Sequence, residues 1–264
     1  GDSTIRCTYP DGCYNEVNML IGVPMKMTFR MPVGSLSATV GYTNAVRTNE
    51  FVIDWDDGNL GDQSNNTHTY GSDGDYTVKV FKNYDPNMQN TSYLLSVDQW
   101  GDFNHYLGGY AFSGCLNVDV LATDSCILHG TSLANCFSGC DSLANTNNSI
   151  GNWDVSTITN MNSMFFGCDV FNADISQWVT TNVTDMGNMF MGAHYRGPYT
   201  IFNQDINTKL RSDGTLAWDT RNVITMNNML RYNYSFDKDI GYWNTDKLEN
   251  LGGFRSLYTG TFSW

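Results

Sequence analysis

Hydrophobic and aromatic side chains recur at fixed intervals through the second half of the chain. Four tryptophans of this region are each followed by an aliphatic residue five positions on, then by Met or Leu three positions later, and by Met or Phe after three more. A self-similar pattern of this kind is typical of repeat proteins, in which each repeat buries its apolar face against a copy of itself. The register is marked by Trp153, Trp178, Trp218 and Trp243.

The intervals between these tryptophans are 25, 40 and 25 residues. The long interval keeps the same apolar positions, so it predicts two loop insertions, at 194–201 and 208–217. Inserted loops of repeat proteins often build a binding face.

The apolar spacing within a repeat predicts a short helix. Met161, Met164 and Phe165 stand at i, i+3 and i+4, which is one face of a helical turn. The residue before the turn is of a type that caps helices in all four repeats. After it, the phrase "FNADISQW" and its copies predict a short strand. The capping positions are Asn160, Asp185, Thr225 and Asn250.

The first third of the chain alternates with period two instead. "FVIDW" and "YTVKVF" predict half-buried strands, and the segment between them is dense in Asp, Gly and Asn, which is typical of turns. Before them, "CTYPDGCYNEV" predicts a hairpin. Cys7 and Cys13 flank its turn and predict a disulfide in an oxidising environment.

Two resemblances follow from these segments. "AFSGC", "CFSGC", "MFFGCDVFNADISQW" and "VTDMGNMFMGA" resemble the BspA-type leucine-rich repeat of bacterial surface proteins, and "DWDDG…HTYGSDGDYTVKV" resembles a PKD-type immunoglobulin-like module. They imply a β-rich chain of two domains: a hairpin extension at 1–22, a PKD-like β-sandwich at 23–86 and a leucine-rich-repeat solenoid at 92–264. The solenoid would carry one short helix and one short strand per repeat.

The net charge of the chain disfavours some classes of binding partner. The chain has 14 Lys and Arg against 27 Asp and Glu, for a net charge of -13. Such a surface repels nucleic acid and anionic lipid, and no apolar window is long enough for membrane insertion. The abundance of Asn, Thr, Ser, Gly and Tyr, with little Lys, favours an extracellular place or the surface of a cell or virion.

Carboxylates in the first third are the candidate cation ligands. They surround a glycine, as the oxygen ligands of calcium often do. The alternative is a turn at Asp57-Gly58 whose side chains bond their own backbone. No other cofactor is expected. The calcium candidates are Asp54, Asp56, Asp57 and Asp62.

The repeats offer no catalytic residue, and the chain is not predicted to be an enzyme. A carboxylate recurs three residues after Phe in several repeats, and repetition indicates a role in the scaffold rather than in catalysis. Another position of the repeat is occupied by Cys or Ala, which predicts a small buried side chain there. The sequence does not decide whether Cys126 and Cys136 form a second disulfide. The carboxylates are Asp174, Asp205 and Asp239, and the position with a small side chain holds Cys115, Cys140, Cys168 and Ala193.

Tyrosines and arginines near the first insertion and the following repeat are the predicted ligand-binding residues, because these side chains dominate recognition surfaces. The sequence therefore predicts a non-enzymatic recognition or adhesion module that binds a protein or glycan on another surface. One alternative is a structural subunit of a surface layer, filament or virion shell that contacts copies of itself, and another is a carbohydrate-active enzyme. The binding candidates are Tyr195, Arg196, Tyr199, Arg231, Tyr232 and Tyr234.

Overall fold

The computed structural model describes residues 5–8, 14–17, 22–34, 37–42, 51–81, 84–102, 107–193 and 200–254. Short strands dominate the regular structure of these residues, so the prediction of a β-rich fold is confirmed. A single 3₁₀ turn in this part of the chain spans Ile150–Asn152. The strands are β1 (Ile5–Thr8), β2 (Tyr14–Val17), β3 (Met25–Met31), β4 (Ser37–Thr39), β5 (Val52–Asp54), β6 (Leu60–Asp62), β7 (Thr67–Thr69), β8 (Gly74–Phe81), β9 (Leu94–Gln99), β10 (Asp119–Val120), β11 (Lys209–Leu210) and β12 (Leu216–Ala217).

The largest sheet has six strands in the order β10-β9-β3-β8-β5-β6. Its neighbours are antiparallel except β9 and β10, which run parallel. Strand β3 explains the alternation seen in the sequence, because Met25, Met27 and Phe29 are fully buried while the residues between them are not. Separately, β1 pairs with β2 and β4 pairs with β7, both antiparallel.

The PKD-like sandwich implied by the resemblance is wrong for this chain. Strand β3 has β8 on one side and β9 on the other, so its second edge is taken by a strand that lies beyond residue 86. The sheet then continues to β10, inside the region of the repeats. The six-stranded sheet therefore contains strands from both sides of residues 86–92. The described residues contain no helix with the length and apolar character needed to cross a bilayer.

The repeats fold as a stack of turn layers, each made of consecutive tight turns. Within one layer, Cys136 donates its N–H to the carbonyl of Leu133 at 3.1 Å. Between layers, every second N–H donates to the next layer: Phe137 to Met164 at 3.0 Å, and Phe165 to Met189 at 3.0 Å. The turn layers comprise residues 107–115, 132–140, 160–168, 185–193, 225–233 and 250–254.

The predicted helix in each repeat is wrong, since the described residues contain no α-helix. The fourth residue of each layer has a left-handed backbone, with φ of 57° at Asn135, 56° at Ser163 and 55° at Asn188. Such a residue cannot continue a right-handed helix, so the apolar spacing of three arises from successive turns. The predicted strand is also missing from 171–178. With neither helix nor closed solenoid, the leucine-rich-repeat solenoid is not the fold of this chain.

The residues predicted to cap helices instead form a column through the stack. Parallel bridges join Asn160 to Asp185, Asp185 to Thr225 and Thr225 to Asn250. The side chain of Asn160 accepts the N–H of Asn162 at 2.9 Å. This is the bond that a capping residue would make, because the same side chains serve helix ends and turns.

The core of the stack consists of columns of like side chains. The ring of Phe165 lies 6.0 Å from that of Phe137 and 5.8 Å from that of Phe190, in stacked orientation. The indole N–H of Trp178 donates to the carbonyl of Ile150 at 3.2 Å. Trp218 and Trp243 make the equivalent bond to Ile175 and Ile206. Each repeat therefore supplies a carbonyl acceptor for the tryptophan indole N–H of the next repeat.

Candidate functional site

A groove of about 330 Å³ runs across the turn layers. It passes over the turn at 90–92 and four successive turn layers, and we call it the layer groove. Hydroxyl groups, one carboxylate and one aromatic ring are among the side chains that line it. Its lining residues are Asn90, Ser92, Ser113, Gly114, Leu116, Ser138, Gly139, Asp141, Phe166, Gly167 and Ala193.

Glycine forms the floor of the layer groove for a conformational reason. Gly114, Gly139 and Gly167 have φ of 74°, 74° and 68°, in the left-handed region that favours glycine. Their N–H groups are used between layers, for example from Gly139 to the carbonyl of Phe166 at 2.7 Å. The floor therefore carries no side chains at these glycines and their amides are satisfied, so the neighbouring side chains determine what the groove recognises.

A second hollow of about 200 Å³ adjoins the layer groove. It lies between strand β4 and the turn at 90–93, and its lining includes Phe29, Thr39 and Tyr93. Asn90 and Ser92 line both hollows. The two hollows therefore adjoin at the turn at 90–93.

Arg231 and Tyr232 lie one layer beyond the Ala193 end of the groove. Gly192 donates its N–H to the carbonyl of Arg231 at 2.9 Å, which fixes this register. The guanidinium of Arg231 lies 4.7 Å from the centre of the Tyr232 ring, and its Nη2 donates to the Tyr232 hydroxyl at 2.7 Å. Its Nη1 donates to Oδ1 of Asn228 at 3.3 Å. The two predicted residues thus form one ordered pair.

The other predicted binding residues have different outcomes. Tyr195, Arg196 and Tyr199 lie outside the described residues, as does residue Cys13 of the predicted disulfide. Tyr234 is half-buried, two residues after the pair. Sequence reasoning did not select the groove serines, although the repeated "SGC" of Ser113 and Ser138 marked their position.

The second insertion, 208–217, is a small hairpin. Strand β11 pairs with β12, with Lys209 opposite Ala217. Lys209 Nζ lies 3.1 Å from Oδ2 of Asp205, and Arg211 Nη1 lies 3.1 Å from Oδ2 of Asp213. Its described cations therefore already have carboxylate partners.

The calcium candidates are engaged with other groups. Asp54 pairs with Lys79 at 2.9 Å, and Asp56 accepts the N–H of Thr77 at 3.0 Å. Asp57 lies 2.7 Å from the His68 ring. In the described part of the chain no three His, Cys, Asp or Glu side chains gather as a metal site.

Asp62, the fourth candidate, closes its own turn. Its Oδ1 accepts the hydroxyl of Ser64 at 2.6 Å, the N–H of Ser64 at 2.7 Å and the N–H of Asn65 at 3.0 Å. These bonds, that of the Ser64 hydroxyl first, lower the pKa of Asp62. This is the backbone-bonding arrangement weighed as the alternative to calcium.

The recurring carboxylates also bond backbone. Oδ1 of Asp174 accepts the N–H of Ser176 at 2.9 Å, and Oδ1 of Asp239 accepts that of Gly241 at 2.8 Å. Asp205 makes the same bond to Asn207 at 3.1 Å. The repeated aspartates therefore bond the backbone of a turn that recurs in each repeat.

The cysteine column is buried and reduced. The thiol of Cys140 donates to the carbonyl of Phe112 at 3.1 Å, and that of Cys168 to the carbonyl of Phe137 at 3.0 Å. Burial raises the pKa of Cys115 to about 12, which makes its thiolate scarce. Cys126 and Cys136 are free thiols, so they form no disulfide.

Comparison with known proteins adds one finding. Residues 131–254 match a family described as Mycoplasma protein of unknown function, DUF285. The match covers a little less than half of the chain and falls on the turn layers. No curated protein and no solved structure matches the chain. The comparisons thus give no support to a leucine-rich repeat joined to a PKD module.

Proposed function

We propose that this protein is a non-enzymatic recognition module, outside the cell or on the surface of a cell or virion, which binds an extended ligand along the layer groove. The ligand would be a glycan or a protein segment on another surface. The observation that carries the proposal is the groove itself: its volume of about 330 Å³ lies in the range of small-molecule sites. A second hollow adjoins it at Asn90 and Ser92, and the two together suit a chain rather than a compact molecule.

Binding is favoured over cleavage by the carboxylates. Hydrolysis of a glycosidic bond generally uses two carboxyl groups on either side of the bond. Asp141 is the one carboxylate among the residues that line the layer groove. The repeated Asp174 and Asp239 are occupied by backbone N–H groups. The groove is therefore better suited to holding a chain than to cutting it.

The surface location rests on composition. The chain is rich in Asn, Thr, Ser, Gly and Tyr, and carries few Lys for its length. A net charge of -13 favours neutral partners over polyanions. Both features agree with a recognition role on an exposed surface.

The test fills the groove in one layer. Ser138→Tyr places a ring in the layer groove, whereas Ser142→Tyr places the same ring on an exposed position of the same turn region. Both variants and the parent chain are screened by surface plasmon resonance against arrayed oligosaccharides and purified extracellular-matrix proteins. We expect at least one ligand that Ser138→Tyr loses and Ser142→Tyr retains. A parent chain that binds nothing in either panel, or equal binding by both variants, would overturn the proposal.

A further inference from the structure

The pair of Arg231 and Tyr232 has features that the scaffold does not require. Three other arginines whose side chains are described each pair with a carboxylate: Arg30, Arg211 and Arg221 lie 2.9, 3.1 and 2.8 Å from an aspartate. No carboxylate among the described residues pairs with Arg231. In a chain of net charge -13, this leaves a cation at the end of the groove without a neutralising partner.

The backbone at Tyr232 gives a second, independent observation. Tyr232 occupies the layer position that Gly114, Gly139 and Gly167 occupy, and it has φ of 61°. A left-handed backbone is costly for a residue with a side chain. A half-buried tyrosine in place of glycine is thus an expensive choice for packing alone, and strain of this kind is often held at functional positions.

The pair is also ordered before any ligand arrives. Asn228 and the Tyr232 hydroxyl each accept one N–H of the guanidinium. The remaining N–H groups of Arg231 are available, and a guanidinium binds a carboxylate through two parallel hydrogen bonds. The Tyr232 ring lies beneath the guanidinium, and an aromatic ring beside a bound carboxylate gives a sugar an apolar surface to pack on.

We propose that Arg231 and Tyr232 bind a single carboxylate-bearing sugar at one end of an otherwise neutral glycan that lies in the layer groove. This inference rests on the proposed function and names its ligand. The carboxylate would accept two hydrogen bonds from the Arg231 guanidinium, and the sugar ring would pack on Tyr232. The neutral sugars would pass Phe166 and the hydroxyls of Ser138 and Ser113.

A glycan fits the groove better than an acidic peptide does. The lining of the groove favours a glycan, because the hydroxyls of Ser92, Ser113 and Ser138 and the side-chain amide of Asn90 can exchange hydrogen bonds with the hydroxyls of neutral sugars. The negative charge of the chain further disfavours a partner with many carboxylates.

The test uses matched pairs of oligosaccharides. Sialyllactose is compared with lactose, and a glucuronic-acid-substituted xylotetraose with xylotetraose, by isothermal titration calorimetry at low salt. For at least one pair we expect the acidic member to bind about tenfold tighter or more, because a charge-assisted pair is strong when partly desolvated. Arg231→Ala and Arg231→Lys should remove this difference, while Arg211→Ala should keep it.

Each other outcome is decisive. Equal binding of acidic and neutral members in both pairs, or a preference that survives Arg231→Ala, would overturn the inference while leaving groove binding intact. If hexaglutamate binds more tightly than either acidic sugar, the ligand is a peptide and the inference is wrong. Loss of all binding in Ser138→Tyr, with the acid preference of the parent chain absent, would support the proposed function and reject this ligand.

Discussion

The N-terminal sheet and the stack of turn layers use backbone hydrogen bonds in different ways. In the sheet, β3 is paired with β8 and β9 along its length, and each strand has its own sequence. In the stack, short turns bond to the next layer, and Phe137, Phe165 and Phe190 repeat one contact. The comparison shows that regular bonding between segments does not require long strands when the side chains repeat in register.

The difference has an energetic consequence. A layer of the stack buries its rings only against the layers before and after it, whereas Phe29 of β3 is buried in the centre of a sheet. Damage to the stack should therefore spread along neighbouring layers first. Damage to the sheet should open the strands around β3.

The largest effect should come from Phe165→Ala, compared with Phe29→Ala. Both rings are at most 2% exposed, so each change should lower the free energy of unfolding by about 3–5 kcal/mol. Amide hydrogen exchange followed by mass spectrometry should show lost protection at 132–140 and 185–193 for Phe165→Ala, and in β3, β8 and β9 for Phe29→Ala. The comparison fails if the two variants lose protection in the same segments.

The second largest effect should come from removing the hydrogen bond that a tryptophan indole makes between repeats. Trp178→Phe removes the indole donor to the Ile150 carbonyl, which then accepts only the backbone N–H of Trp153, whereas the Trp153 indole N–H has no acceptor in the described part of the chain. Urea denaturation should therefore show a loss larger by about 1 kcal/mol for Trp178→Phe than for Trp153→Phe. Equal losses would mean that the tryptophan bond adds nothing to the stack.

A smaller effect tests the left-handed turns. Asn135 has φ of 57°, which glycine adopts freely and alanine does not. Asn135→Ala should lower the free energy of unfolding by about 1 kcal/mol, and Asn135→Gly should change it by less than half of that. If the alanine variant is as stable as the glycine variant, the turn geometry is wrong.

The smallest effect is the acid sensitivity that both regions share. The Ser156 side chain, and then its backbone N–H, lower the pKa of Asp154 in the stack, as Ser64 lowers that of Asp62 in the sheet. Because the folded-state pKa values are lowered, this stabilisation is present above the ordinary Asp pKa of about 3.9 and is lost as pH falls through the lowered values. Urea midpoints measured from pH 5 to pH 2 should fall, and less steeply in Asp62→Asn and Asp154→Asn. If the urea midpoint of both variants depends on pH as steeply as that of the parent chain, these hydrogen bonds do not contribute to the acid sensitivity.

The sequence predicted the columns of the stack but not its backbone. The register of Trp178 and Met189 identified which residues would share a layer position, because burial against a copy demands repetition. The helix prediction failed at Ser163 and Asn188: the spacing of three fits a helical turn and a run of tight turns equally, and the small polar residue between the apolar ones was the unused signal for a left-handed backbone.

The pairing of strands that are distant in the sequence could not be predicted either. Nothing in the local pattern of β9 shows that it pairs with β3, since pairing partners are set by the whole sheet. Likewise, Arg231 and Tyr232 were selected as residue types, while Ser92 and Ser138 needed the stack to bring them into one groove.

The most direct test of the turn-layer fold is NMR measurement of couplings across hydrogen bonds in isotope-labelled protein. The layered arrangement predicts couplings from the amide nitrogen of Phe137 to the carbonyl carbon of Met164, and from that of Phe165 to that of Met189. Couplings from Phe165 to Met161, four residues back within one repeat, would instead show a helix and would contradict the account.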